Sequence, residues 1–511
     1  MEKNALRVFD TDRRIKLGIW GLGRGGNFVK CCNDLNIDVV AGCDFNPHIR
    51  ESFQKNCPGV FVTADEDEFL ARDMDAVLIA TWFCKHAEHA VKALRAGKHV
   101  MSEVTSFFTP ADGVKLVEAV EASGKVYNLL ENYPFMKPNM MAKKLWDDGF
   151  FGEFTYGEYD YNHDCRSLAY AYIDGTPVQP GWTLHNWRSW INFHYYNTHS
   201  LGPVMHITGL RPVRVAAPKT GVLQPGFVLG DAKKNPAVSF VTMSNGGVFR
   251  NFMGELSGDT HSRRLWGTKA SFDFTGDCVV RLGANGHGRR YSLKQEWPEM
   301  GEIADTMGHG GGDFWELYYF AREVLTGEKA YWDVYRACDV TLTGIMAARS
   351  QALDGIPVDI PDFRDRAVRE KFRNDRSNDV HPDTDTAAFP AGYDHAITGK
   401  FTAIMCKLYP WIIDENGGIG LIRNAFDGIK LFPQLADNDA KFAVVEDVRT
   451  VIARLPEFAE TYREALRIAD AYPASAAAKV IQGALDSGER EAILNPDETR
   501  TRLVKWLETR A

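Results

Sequence analysis

From Ile15 onward the chain alternates between short apolar runs and stretches with one apolar face every three or four residues. Ile15-Lys16-Leu17-Gly18-Ile19-Trp20 is an apolar run bounded by glycine, the pattern of a buried parallel strand. A helical pattern follows, with Phe28, Val29, Cys32 and Leu35 on one face, and then a second strand over 38–43. The alternation continues with a helix over 46–56, a strand over 60–62, a helix over 65–72 capped by Asp65, and a strand over 74–81. A helix over 86–96 closed by Gly97, a strand over 99–103, a helix over 110–123 and a strand over 126–130 complete the series. Strict alternation of this kind predicts a doubly wound parallel sheet.

The texture changes near residue 150. Residues 153–162 alternate and are rich in Tyr, and 237–244, 248–256, 263–267, 271–274 and 278–282 are strand-like runs joined by turn residues, which predicts an antiparallel sheet. Helices are expected over 313–325, with Asp313 as candidate N-cap, and over 331–353. Residues 373–390 are polar and contain proline, as a linker or surface loop does. Beyond them the pattern is helical over 398–409, 419–431, 440–455, 458–471, 474–485 and 498–509, without repeats or a catalytic constellation. This module is expected to cover the core or make an oligomer contact. The expected class is α/β: a Rossmann doubly wound parallel sheet (1–133), an α+β domain with an open antiparallel sheet (134–372), and a linker with a helical C-terminal extension (373–511).

The first turn carries the most specific chemistry. Gly21-Leu22-Gly23-Arg24-Gly25-Gly26 is G-x-G-x-x-G placed between a strand and a helix. Gly21 permits the tight turn, Gly23 lets backbone approach a pyrophosphate, and Gly26 is expected to let helix and strand pack closely. The helix N-terminus offers free N–H groups to phosphate. Asp44, at the end of the second strand, is placed to accept from both ribose hydroxyls, and its charge repels a 2′-phosphate, so NAD is expected rather than NADP. Ligands of such sheets lie beyond the strands' carboxyl ends. Gly21, Leu22, Gly23, Arg24, Gly26, Asp44, Thr81, His86 and Glu103 are therefore the expected cofactor contacts, with Glu131 at the last strand end.

The 511 residues exceed one ordinary core, and 45% hydrophobic with 25% charged residues is ordinary for a globular protein. A net charge of −9 argues against a nucleic-acid partner. No apolar run approaches the ~20 residues that span a bilayer, so no membrane association is expected. No signal peptide is read, and nine scattered cysteines without a CxxC suit a reducing compartment; a cytoplasmic, homo-oligomeric protein is expected. His185, His194, His199 and His206 are spaced by nine, five and seven residues, which does not form a ligand pair on one helical turn, so no metal is expected. Trp182, Trp187, Trp190, Tyr195 and Tyr196 form an aromatic stretch with two readings: stacking on sugar faces, or a well-packed loop.

Over roughly residues 14–360 the chain resembles the Gfo/Idh/MocA oxidoreductases, Rossmann plus open-sheet sugar and cyclitol dehydrogenases. The residues that carry the resemblance are Asp75-Ala76-Val77-Leu78-Ile79-Ala80-Thr81, His86-Ala87-Glu88-His89-Ala90, Ala93-Leu94-Arg95-Ala96-Gly97-Lys98-His99-Val100 and Gly267-Thr268-Lys269. The family's usual Glu-Lys-Pro is here Glu103-Val104-Thr105, so the lysine assigned to proton relay in the dehydrogenases is absent. Glu131-Asn132-Tyr133, the Tyr161–Arg166 stretch, Tyr196-Asn197-Thr198-His199-Ser200-Leu201-Gly202-Pro203-Val204 and Gly308-His309-Gly310-Gly311-Gly312-Asp313 look like the NAD-dependent glycosidases of this superfamily, which include α-N-acetylgalactosaminidases.

That resemblance implies a small carbohydrate or glycoside substrate and a site lined by Glu131, Tyr161, Tyr196 and His199, with Arg166 and His309 as further substrate contacts. It implies that hydride leaves C3 first, that the new ketone acidifies C2–H, and that Tyr161 removes that proton. The enolate then expels the C1 substituent, water adds, and the hydride returns. Tyr196 or His199 handles the 3-hydroxyl proton, and Glu131 orients a hydroxyl or the base. Structural readings stand beside each role: a strand tyrosine that packs, His199 as cap of the helix bearing Pro203, His309 in a turn, Asp313 as cap. Three classes remain open from the sequence: a glycoside-cleaving enzyme with recycled NAD, an ordinary NAD-dependent dehydrogenase, and a non-catalytic NAD-bound scaffold.

Overall fold

The computed structural model describes residues 8–163, 191–220, 236–254, 262–273, 279–282, 289–297, 300–377, 418–471, 485 and 487–510. The expected helix over 398–409 and most of that over 474–485 lie outside them. The chain forms two compact units, one containing both sheets and one containing the C-terminal helices.

In the first unit six strands form a parallel sheet: β1 Ile15–Trp20, β2 Ile37–Cys43, β3 Phe61–Thr63, β4 Ala76–Ile79, β5 His99–Glu103 and β6 Tyr127–Leu130. Their order is β3-β2-β1-β4-β5-β6, so the chain switches direction of travel between β1 and β4. All four residues of β4 are buried, as a strand covered on both faces requires. The helices between strands begin and end where local chemistry dictates. Asp65 accepts from the Asp67 and Glu68 amides at the start of Glu66–Leu70. Thr109 accepts from Asp112 N ahead of Pro110–Ser123, which stops at Gly124 with φ +62°. The stretch after the glycine turn is less regular than expected: Leu22–Gly25 and Val29–Cys32 are single α turns joined and followed by 3₁₀ turns. Phe28, Cys32 and Leu35 are nevertheless buried.

The second sheet has nine strands in the order β14-β13-β12-β11-β7-β10-β9-β8-β15. These are β7 Phe154–Asn162, β8 Pro212–Ala216, β9 Ala237–Met243, β10 Val248–Gly254, β11 Arg263–Gly267, β12 Ala270–Asp273, β13 Val279–Leu282, β14 Arg289–Ser292 and β15 Val358–Asp359. The sheet is mixed. β7 runs parallel to β10, while the other pairs are antiparallel. The expectation of an antiparallel sheet missed this pair because β7 enters the middle of the sheet, between β10 and β11, and not beside its neighbour in sequence. A helix unremarked in the sequence, Lys137–Asp147, follows β6, and the helix bearing Pro203 spans Thr198–Thr208 and precedes β8.

In the second unit, helices Gly418–Leu431, Asn438–Ala471, Ser487–Leu494 and Pro496–Glu508 pack around Ile422, Val448, Leu455, Phe458, Tyr462 and Leu503. The two helices expected over 440–455 and 458–471 are one, continuous through Pro456. Pro456 donates no hydrogen bond to the preceding turn. The buried stripe of Val448, Val451, Leu455, Phe458, Ala459, Tyr462 and Ala465 runs along both halves and offsets that loss.

Candidate active site

The glycines after β1 separate into distinct roles. Gly21 has φ +95°, and a Cβ there would lie 2.4 Å from Ala80 O. A Cβ on Gly23 would meet nothing within 4 Å, so the loop backbone faces open space at the point where a pyrophosphate approaches. The close packing assigned to Gly26 belongs to Gly25. A Cβ on Gly25 would sit 2.5 Å from Ile19 Cγ2 on β1, whereas one on Gly26 would meet the Phe53 ring at an ordinary 3.5 Å. The irregular turns turn the fifth motif position, not the sixth, toward the strand.

Asp44 closes the loop. Its Oδ2 accepts from Leu22 N and its Oδ1 from Asn46 N, both at 2.9 Å. Burial pushes its pKa up against the opposing pull of those amides and Arg50. Thr81 Oγ1 lies 2.8 Å from His89 Nδ1, and the His86 ring spans the carbonyl oxygens of Thr105 and Thr81 at 2.9 Å each. Burial lowers the pKa of His86 against the opposing pull of those two carbonyls, and that of His89 to about 3, so the His89 ring is neutral at pH 7. An open approach at Gly23, a strained turn at Gly21 and a carboxylate at the end of β2 together fit a dinucleotide.

Arg24 turns its side chain away from the loop. Its Nε donates to Glu103 Oε1 at 2.7 Å, and its two terminal nitrogens donate to the two Asp313 oxygens at 2.9 Å. Asp313 is not the N-cap of the helix Gly312–Thr326. Gly311 holds that position, and Asp313 lies inside the first turn with its carboxylate committed to side chains.

Four residues from distant segments meet beyond β6. Glu131, fully buried, accepts from Tyr133 N at 3.2 Å and from His199 Nδ1 at 2.8 Å. His199 Nε2 lies 3.1 Å from the Tyr196 hydroxyl. Because Glu131 accepts at Nδ1, the imidazole lone pair faces Tyr196. His199 is not a cap: Asn197 occupies the N-cap of Thr198–Thr208 and the ring of His199 reaches inward. A Cβ on Gly202 would stand 3.1 Å from Glu131 Cγ, so glycine at this helix position makes room for the carboxylate. The Tyr161 ring, at the end of β7, packs against His199 at 5.0 Å and Tyr196 at 5.6 Å between centroids. His309 donates from Nδ1 to Asp313 Oδ1 at 2.9 Å, and its ring centre is 6.4 Å from that of Tyr133. Arg166 lies outside the described residues, as do Trp182, Trp187 and Trp190.

Sequence reasoning missed Tyr133, whose ring stacks on His199 at 4.4 Å and 22°. It also missed the carboxyls around Arg24. Glu316 is buried, 4.0 Å from Arg24, with neither oxygen hydrogen-bonded. The signal available was the i, i+3 spacing of Asp313 and Glu316, which places both carboxyls on one face of the helix Gly312–Thr326. Among the described residues no group of three or more His, Cys, Asp or Glu is placed to hold a metal ion.

Residues 15–130 match the model of the GFO_IDH_MocA oxidoreductase family, NAD-binding Rossmann fold. This chain carries a Gfo/Idh/MocA NAD-binding domain. Similarity to curated proteins extends well past that domain. A glycosyl hydrolase family 109 protein of Solibacter usitatus is 26% identical over 403 residues, covering 70% of this chain and 89% of that one. An alpha-N-acetylgalactosaminidase of Tannerella forsythia is 26% identical over 378 residues, covering 64% and 80%. The structure of levoglucosan dehydrogenase in complex with NADH and levoglucosan shares the fold, with a TM-score of 0.55 at 18% identity, over 68% of this chain and 100% of that one.

Proposed function

We infer that this protein is an NAD-dependent, sugar-acting enzyme that cleaves a glycoside by transient oxidation at C3, deprotonation at C2 and elimination of the C1 substituent. The observation that supports this reading best is the buried chain Glu131–His199–Tyr196 with Tyr161 packed on it. The relatives named glycosyl hydrolase family 109 and alpha-N-acetylgalactosaminidase make an N-acetylgalactosaminide the first substrate to try.

Bound NAD supplies a reversible hydride acceptor; the protein's own groups manage the protons. A hydroxyl that loses hydride from its carbon must also shed its proton. Tyr196 takes that proton as its own passes to His199 Nε2, and Glu131 stabilises the imidazolium. With C3 a ketone, C2–H is acidic enough for Tyr161 to remove as phenolate. The resulting enolate expels the aglycone from C1, water adds to the enone, and reduction at C3 regenerates the hydroxyl. Hydride and protons balance over one turnover. Arg166 and His309 complete the substrate contacts in this reading. A homo-oligomer, supported by the exposed Phe240 and Val248 on one face of β9 and β10, and a reducing, cytoplasmic setting, supported by the free thiols at Cys31, Cys32, Cys43, Cys57 and Cys338, belong to the same reading. No helix among the described residues is long and apolar enough to cross a membrane.

The test is a panel of nitrophenyl glycosides in deuterated water. Aryl release without net NADH, with deuterium at C2 of the product sugar, is expected. Tyr161→Phe keeps the ring packing and is expected to lower turnover by about 10²–10⁴. Aryl release with C2 fully protiated and no isotope effect from C2-deuterated substrate would exclude the elimination route. Stoichiometric NADH would make the protein a dehydrogenase.

A further inference from the structure

We propose that Asp313 is a positioning residue that fixes His309 for the sugar and anchors it to the dinucleotide loop through Arg24. The proposal rests on the sugar-site reading above for what His309 meets, and on geometry for the rest. One oxygen of Asp313, Oδ1, accepts from Arg24, from Asn132 Nδ2 and from His309 Nδ1, each at 2.9 Å, while Oδ2 takes the second arm of the Arg24 fork. Three segments thus converge on one carboxylate: the G-x-G-x-x-G loop, the residue next to Glu131, and the glycine turn that carries His309. That turn is built to allow the convergence. Gly311 has φ +88°, and His309 itself φ +52°. A Cβ on Gly308 would lie 2.7 Å from Asp313 Oδ2, and one on Gly312 would lie 2.4 Å from Asn132 O.

The electrostatics favour the ionised form of Asp313. Burial alone would raise its pKa, but the hydrogen bonds from His309 and Arg24, with the Arg24 charge, hold the carboxyl well below the usual range. The pKa of Glu316, buried without a hydrogen bond, is pushed up by that burial and by the charges of Asp313 and Glu103. Asp313 therefore keeps the negative charge, and a permanent acceptor at Nδ1 leaves the His309 lone pair on Nε2. The His309 side chain is 41% exposed, against 2% for that of Asp313, so the carboxylate is the buried end of the pair and the imidazole the accessible one.

The experiment has two arms on the holoenzyme. ¹⁵N NMR of labelled histidines, with His309 assigned by its loss in His309→Gln, reads the tautomer without any sugar. The Nδ1–H form is expected in the wild type and is expected to lose its dominance in Asp313→Ala; an unchanged His309 signal overturns the proposal. The second arm measures turnover of the nitrophenyl glycoside that the wild type cleaves best. Asp313→Asn, which retains the size and one acceptor, is expected to lower kcat by about 10²-fold with KM little changed. It is expected to cost nothing further in a His309→Gln background. Full additivity of the two substitutions overturns the proposal. Absence of activity on every glycoside counts against the glycosidase reading alone, and the NMR arm still decides for Asp313.

Discussion

Glu131 and His199, separated by 68 residues, are joined at 2.8 Å inside the protein, with the carboxylate fully buried. Removing the charge without changing the shape tests what the pair does. Glu131→Gln presents an amide that can donate to His199 Nδ1, which moves the ring proton to Nε2 and blocks acceptance from Tyr196. Turnover is expected to fall by about 10²–10⁴, with bound NAD retained and the circular dichroism spectrum unchanged. Wild-type turnover in this variant would remove the proton chain from the mechanism.

Asp44 is expected to set the choice of cofactor. Asp44→Ala loses the acceptor for the Leu22 and Asn46 amides as well as the carboxylate offered to the ribose. NAD binding is expected to weaken and NADP to gain relative to it, measured by calorimetry on protein freed of cofactor. Identical affinities for both in wild type and variant would sink the assignment.

The glycine loop distinguishes two neighbours. Gly25→Ala drives a methyl to 2.5 Å from Ile19, and the expected cost is about 1–3 kcal/mol in denaturant unfolding. Gly26→Ala meets only the edge of Phe53 at 3.5 Å and is expected to stay within about 0.5 kcal/mol of wild type. A reversed order would return the packing role to Gly26.

Glu316 gives a pH signature. Its folded-state pKa is raised, by burial first and then by Asp313 and Glu103. The folded protein therefore binds more protons than the unfolded chain above the ordinary Glu value of about 4.3, and stability from this group falls as pH rises. Glu316→Gln breaks no hydrogen bond and cannot ionise. It is expected to raise Tm at about pH 8, with the gain shrinking as pH approaches about 5. A gain independent of pH would show that the Glu316 pKa is not raised by folding.

The sequence by itself determined what is local. The order of strands β1 to β6, the tight turn at Gly21, the caps at Asp65 and the carboxylate at the end of β2 all follow from periodicity and turn chemistry within a few dozen residues, because backbone hydrogen bonding and short-range sterics decide them. The residues of the proposed sugar site were legible only through resemblance: Tyr161, Tyr196, His199 and Glu131 carry no spacing that forces them together. Tertiary structure decided the rest. It paired β7 with β10 in parallel, merged two helices across Pro456, gave the close-packing role to Gly25, and turned Asp313 from a cap into the partner of Arg24, 289 residues away. The physical reason is common to these cases. A buried charge is tolerable only with a partner, and a buried face only against another, and which segment supplies it depends on the packing of the whole chain.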